Sequence, residues 1–329
     1  MKNIFALVCI ALLFGCKSTI KKDSETLQIT SNQLKEIVSY LASDELQGRL
    51  AGSVGIDKAA TYIENQFKSY GVNPYFDSYR DNFKIQDSIN AFNVVGYIEG
   101  SDSKLKEEVI IIGAHYDHIG FGQNIKKYGG RLVKKDSISN GANDNATGVS
   151  AVLTLANYFA TKKSNKRSII FALFSAEEWG LFGSKHLSEK LKAKQVNLYT
   201  MVNFEMIGVP LKGRDYLAFV SGYDLSNMAS KLNEYNGSKF IGFSEVSKKY
   251  NLFKQSDNYP FYEQFKTPCQ TISSCDLSNY DYYHHVDDET ELMDYEFMAN
   301  LMNNTSLAIE KMTNTPTREI VMKPNKNHE

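Results

Sequence analysis

Five short stretches of this 329-residue sequence place acids and histidines where they could converge on a cation. His115 and Asp117 lie in GAHYDH, and Asp144 in GANDNATG. Glu177 and Glu178 lie in SAEEWG, Glu205 in VNFEMIG, and His284 and His285 in DYYHHVDDE. Each has a plain structural reading when taken alone. A histidine beside an acid is often a satisfied surface pair. A carboxylate in an Asn- and Gly-rich turn before a helix is often a cap. Two adjacent glutamates can open a helix. Taken together the stretches say more. Adjacent carboxylates after an apolar run are costly unless paired or metal-bound. Glu205, flanked by Phe204, Met206 and Ile207, needs a cationic partner. Nitrogen and oxygen donors of this kind suit zinc. One histidine, one further histidine and three acids exceed one tetrahedral ion that must also hold water. Two ions sharing a bridging carboxylate would use them all.

The elements that must position these residues follow from periodicity. Leu34, Ile37, Val38 and Leu41 fall at i, i+3, i+4 and i+7, which predicts an amphipathic helix. Ile56, Ala60, Ile63 and Phe67 predict a second, closed by Gly71. Strands are predicted at 92–98, 109–115, 168–175 and 198–204. The second and third are continuous apolar runs, as in strands buried on both faces. Helices are predicted at 147–160, 180–193 and 294–312. The stretch 118–143 reads as one long loop, of the kind that is usually functional. Alternation of strand and helix implies an α/β fold: a three-layer α/β/α domain around a mixed, mostly parallel central sheet. His115, Glu177, Glu178 and Glu205 then all follow strands, and ligands of open α/β sheets gather at the carboxyl ends of strands. There is no HExxH, GxSxG, P-loop or strand-borne GxGxxG, which disfavours zincin, serine hydrolase and nucleotide-cofactor chemistry.

In this order the motifs resemble the co-catalytic, dizinc aminopeptidase family of bacterial exported enzymes, which also holds glutamate carboxypeptidase-like proteins and glutaminyl cyclases. YLASDELQGRLAGSVGIDKAATYIENQF (40–67) and SDNYPFY (256–262) are similar to family segments as well. The resemblance implies two zinc ions. It makes His115 a ligand of the first, Asp117 the carboxylate that orients it, and Asp144 the bridge. Glu177 corresponds to the general base and Glu178 to a ligand of the second ion. Glu205 stands where the family commonly has Asp. Tyr283-His284 followed by Asp288 fits the family's last histidine ligand, so His284 is chosen over His285. The implied activity is release of N-terminal residues from peptides. Two alternatives stay open: a single-zinc glutaminyl cyclase, and a lipid-anchored binding protein on the same scaffold.

Residues 1–16 carry a different signal. Lys2 precedes an uncharged run from Ile4 to Phe14, too short to span a bilayer and suited to a secretion signal. The ending Leu13-Phe14-Gly15-Cys16 resembles a lipoprotein box, which would make Cys16 the lipidated residue. The domain plan is a signal peptide over 1–15, a tether over 16–29, a catalytic domain over 30–315 and a polar tail over 316–329. The expected location is the bacterial cell envelope, anchored by lipid, with Ser18 pointing to the outer membrane. In an oxidising compartment Cys269 and Cys275 could form a short-loop disulfide. Thirty-seven basic and 38 acidic residues leave a net charge of −1, so no basic field is available for nucleic acid.

Overall fold

The computed structural model describes residues 27–86, 88–121 and 137–324. Cys16 and the rest of the signal and tether up to residue 26 lie outside the described residues, as do 122–136 of the long loop.

Among the described residues, nine strands form one mixed sheet: β1 (Asn73–Pro74), β2 (Arg80–Ile85), β3 (Ile89–Ile98), β4 (Val109–His115), β5 (Ser168–Phe174), β6 (Leu198–Phe204), β7 (Ala218–Val220), β8 (Ile241–Gly242) and β9 (Cys269–Ser273). Their order is β1-β3-β5-β4-β6-β9-β7-β8, with β2 paired to β3. The central β5, β4, β6 and β9 are parallel, and antiparallel pairs flank them. Every residue of β4, β5 and β6 is buried. Their side chains alternate between two cores. Ile110, Ile112, Ile169 and Phe171 face one, and Val109, Ile111, Ile170 and Phe174 face the other.

The first core is covered by α1 (Ser31–Leu41), α2 (Val54–Tyr70), α3 (Thr147–Lys162), α5 (Met228–Asn236) and α8 (Tyr295–Asn314). The second is covered by α4 (Phe182–Ala193) and α7 (Asn258–Phe265), while the short α6 (Glu245–Lys249) lies between β8 and α7 in sequence. This is a single domain of three layers. The caps follow the local sequence. Thr30 and Gln33 form a capping box at α1, and Gly71 ends α2 in the left-handed region at φ +77°.

Several elements extend the sequence expectation, α5, α6, α7 and β9 among them. β2 alternates with lysine and aspartate and carries little apolar signal, yet it pairs along six residues with β3. β1, β7 and β8 are two or three residues long, below what periodicity can resolve. In the 316–329 segment, Ile320 is buried and Arg318 pairs with Glu108 at 3.0 Å. The disulfide expectation is corrected: Cys269 and Cys275 are free, buried thiols. Cys269 opens β9 and packs in the second core, whereas Cys275 lies beyond the strand's end in the first. A strand from 269 to 273 already spans roughly 13 Å, and a disulfide needs Cα atoms within about 7 Å.

Candidate metal centre

The carboxyl ends of the parallel strands carry the site. His115 is the last residue of β4, Glu205 directly follows β6, and Glu177 and Glu178 sit in the turn between β5 and α4. Because α4 begins only at Phe182, the two glutamates precede the helix rather than forming its first turn.

Asp144 lies in an irregular turn ahead of α3 that is tied to the end of β6. Asn145 donates through Nδ2 to Phe204 O at 2.9 Å, and its Oδ1 accepts from Met206 N and Gly148 N, each at 3.1 Å. Asn143 Oδ1 accepts from Gly208 N at 2.9 Å. Asp288 holds the same turn from the opposite side, accepting from Asn143 N at 2.8 Å and Asp144 N at 3.0 Å. Asp144 and Glu205 are thus fixed relative to one another through backbone rather than through long side chains.

The two oxygens of Asp144 face different partners. Oδ1 lies 3.2 Å from His115 Nε2, which is also 3.1 Å from Glu205 Oε1. Oδ2 lies 3.2 Å from His284 Nε2, which is 2.8 Å from Glu178 Oε2. His285 turns away: its Nδ1 accepts from Asp287 N at 3.1 Å. Asp117 is buried behind His115. Its backbone oxygen lies 3.2 Å from His115 Nδ1, its carboxylate 3.7 Å, and its Oδ1 accepts from Glu177 N at 3.1 Å.

Electrostatics follow from burying so many acids together. Burial opposes charge on His115, but Glu205, Glu177, Asp117 and Asp144 outweigh it and push its pKa well above the usual value. Burial drives Glu177 well above the ordinary carboxylate value, with Glu178, Asp257 and Glu205 adding to the rise and His115 opposing it. Burial likewise raises Asp257, to about 7. At Asp144 burial is overcome by the hydrogen bonds of His115 and His284, and its pKa falls well below the usual range.

The donor set fits a divalent metal. His115 Nδ1 faces a backbone carbonyl, which can only accept, so Nδ1 carries a proton, and Nε2, directed at two carboxylates, is the nitrogen at which a metal could replace a proton. Asp117 Oδ2, buried behind His115, accepts no hydrogen bond among the described residues. No Lys or Arg is found among the described residues lining the cleft, whose volume is about 590 Å³. Soft–hard matching of imidazole and carboxylate favours zinc over calcium or magnesium.

Three residues of this region escaped the sequence reading. His118 is fully buried, with Nδ1 2.9 Å from Glu178 Oε1. Its signal was its place three residues after His115 in the same motif. Ser256 donates to Glu205 Oε2 at 2.8 Å and accepts from Asn203 Nδ2 at 2.9 Å. Arg49 is fully buried, and among the described residues its hydrogen bonds go to backbone carbonyls. It donates to Tyr116 O at 2.8 Å, Asn140 O at 2.6 Å, Gly141 O at 3.0 Å and Leu41 O. Burial lowers its pKa to about 10, so it stays charged at neutral pH. Arg49 therefore fastens together the loops that carry His115 and Asp144. The backbone is equally tight here: a Cβ at Gly48, φ +64°, would meet Ser139 O at 2.4 Å.

Comparison with known proteins agrees with this arrangement. The chain belongs to peptidase family M28, whose sequence model matches residues 93–309. Aminopeptidase YwaD of Bacillus subtilis is 31% identical over 176 residues, covering 52% of this chain and 33% of that protein. The chain spans about two fifths of the length of the curated fungal relatives it matches, such as a probable zinc metalloprotease of Phaeosphaeria nodorum at 39%. Among solved structures, a zinc aminopeptidase from Bacillus subtilis superposes with a TM-score of 0.66 at 15% identity, covering 86% of this chain and 95% of that one. Porphyromonas gingivalis glutaminyl cyclase superposes with a TM-score of 0.67 at 13% identity, covering 87% and 99%. These two share the fold.

Proposed function

We propose that the chain is a zinc-dependent aminopeptidase that hydrolyses the N-terminal peptide bond of its substrate at a two-ion site. The observation that carries this reading is Asp144, whose two oxygens each lie 3.2 Å from a different histidine. The name of the Bacillus subtilis relative, an aminopeptidase, supports it. Bound zinc would acidify the water it holds and polarise the scissile carbonyl. Glu177 takes the water's proton and passes it to the leaving amine. Its burial makes it a stronger base than an exposed glutamate. Asp117 anchors the Glu177 backbone by accepting its N–H and holds His115 through its carbonyl oxygen. The acid-rich cleft favours a protonated N-terminus, and its Met206, Phe219, Leu252 and Leu277 wall suits an apolar side chain.

A glutaminyl cyclase needs one ion only, so donors on both sides of Asp144 favour the peptidase. The test is a panel of free aminoacyl peptides and their N-blocked counterparts, with zinc quantified in the same sample. The expected result is cleavage of free N-termini, with two zinc ions per chain. Release of pyroglutamyl product with a single ion would support the cyclase instead.

We propose further that the protein is exported and held at the membrane by lipid on Cys16. The charged start, the apolar run and the Cys after Gly15 support this reading. Peptide N-termini reaching the cell envelope would be its substrates.

A further inference from the structure

We infer that His118 is a fourth protein donor to the ion held by Asp144, Glu178 and His284, so that the two metal positions are unequal. One position is closed by protein and the other, beside His115, is open. The inference rests on the two-ion reading above and goes beyond it by assigning each position a different task.

The ring of His118 is fixed in one orientation. Its Nε2 lies 3.0 Å from Ser139 Oγ, and that hydroxyl spends its single hydrogen on His285 O at 3.2 Å. The hydroxyl therefore faces His118 as an acceptor, and Nε2 must be the donor. Nδ1 is then the ring nitrogen available to a metal. It points at Glu178 Oε1 at 2.9 Å and lies 3.7 Å from Asp144 Oδ2. A ring nitrogen aimed at the oxygens of two carboxylates is placed to share a cation with them. This is the arrangement already found at His115, where the outer nitrogen is spent on a carbonyl.

Distances agree with a single ion. Donors on a tetrahedral zinc with bonds near 2.1 Å are about 3.4 Å apart. Around Asp144 Oδ2 and Glu178 the separations are 3.7 and 2.9 Å to His118, and 3.2 and 2.8 Å to His284. The two imidazoles meet edge to face with centroids 5.8 Å apart, which lets both approach one centre without stacking. The place is also built for the ring. Gly141 has φ +59°, and a Cβ there would come within 2.5 Å of His118 Cγ. His118 N donates to Arg49 O at 3.3 Å, which ties the ligand to the buried Arg49 segment.

Among the described residues the donor atoms of His115, Asp144 and Glu205 lie within 4.8 Å of one another on one side of Asp144, and those of His118, Asp144 and Glu178 do so on the other; only this second group has a further histidine against its carboxylates, His284 Nε2, 3.2 Å from Asp144 Oδ2 and 2.8 Å from Glu178 Oε2. Three protein donors leave a coordination position for water or substrate, whereas four protein donors make a closed, structural site. The ion at His118 is thus the retained, site-organising one. The ion at His115 is the exchangeable one that presents an open position to the substrate.

The test is zinc titration of the chelator-stripped full-length protein against a competing chromophoric chelator, for wild type and for His118→Ala. Wild type should take up two ions with affinities at least about tenfold apart. In His118→Ala the tighter affinity should fall by at least about 100-fold while the weaker one stays within about threefold. Cobalt in the tight position should show intense tetrahedral visible absorption in wild type that weakens in the variant. If His118→Ala fails to fold by circular dichroism, His118→Asn is titrated in its place. Two ions with both affinities unchanged by the variant, or lowered equally, would overturn the inference. Uptake of a single ion by wild type would overturn the two-ion reading beneath it.

Discussion

Replacing Arg49 with methionine removes a buried cation and four hydrogen bonds, and strands the carbonyls of Leu41, Tyr116 and Asn140, while Gly141 O keeps the bond from Ala146 N at 3.2 Å. Arg49 has no accessible surface, and its donors reach Leu41, Tyr116, Asn140 and Gly141. A hydrogen bond from a charged donor contributes ~1.5–3 kcal/mol, and a buried acceptor left unpaired costs ~1–3 kcal/mol. Four such bonds give a gross loss of ~6 kcal/mol or more. Methionine is smaller, so water can reach some of the carbonyls, and desolvation of the guanidinium is relieved. The net cost should be about 3–5 kcal/mol, the scale seen when one partner of a buried charged network is removed. Urea unfolding of the metal-free protein followed by circular dichroism reads this directly. The loops at 116–118 and 140–144 carry metal donors, so zinc affinity should fall in the same variant. Arg49→Lys keeps the charge with three donors and should recover part of both losses. A stability loss under about 1 kcal/mol in Arg49→Met, or a lysine variant no better than methionine, would refute the reasoning.

Three further outcomes are expected. Asp144→Ala should weaken both metal positions, because its two oxygens face different histidines; a zinc titration that finds either affinity unchanged would contradict the bridge. At Asp81, burial is outweighed by hydrogen bonds from His186 and Lys190, and its pKa lies below the ordinary 3.8. Its stabilisation is therefore present above about pH 4 and lost as pH falls through the folded value, so Asp81→Asn should cost ~1–3 kcal/mol at pH 7 and converge with wild type in acid. A constant difference between pH 7 and 3 in equilibrium unfolding would contradict this. Cys16→Ser should move the protein from the membrane to the soluble fraction on cell fractionation, since acyl chains supply most of the membrane affinity; equal retention would argue against the anchor.

Much of the fold was legible because its central strands are long and apolar. β4 and β6 coincide with the runs at 109–115 and 198–204, and the helices at 147–162 and 295–314 lie within two residues of expectation. What escaped notice depends on partners remote in sequence. β2 reads as polar because one face meets solvent and its pairing is supplied by β3. Glu177, Glu178 and Glu205 could be found because an acid just past a buried strand is conspicuous. His118 could not be separated from a surface histidine, since Ser139 and Glu178, which fix its ring, are distant in sequence. Arg49 binds only backbone carbonyls, which carry no residue-specific signal. The proposed disulfide failed because spacing alone does not say that a strand holds the two cysteines apart.

The central claim is that Glu177 moves a proton while its neighbour Glu178 holds metal. Glu177→Gln keeps the size of the side chain and removes its basicity. Zinc content and the unfolding midpoint should match wild type, while kcat on an aminoacyl substrate falls by about two to four orders of magnitude with KM little changed. Steady-state kinetics on samples of verified zinc content decide the matter. Full turnover in Glu177→Gln, or loss of zinc from it, would contradict the assignment.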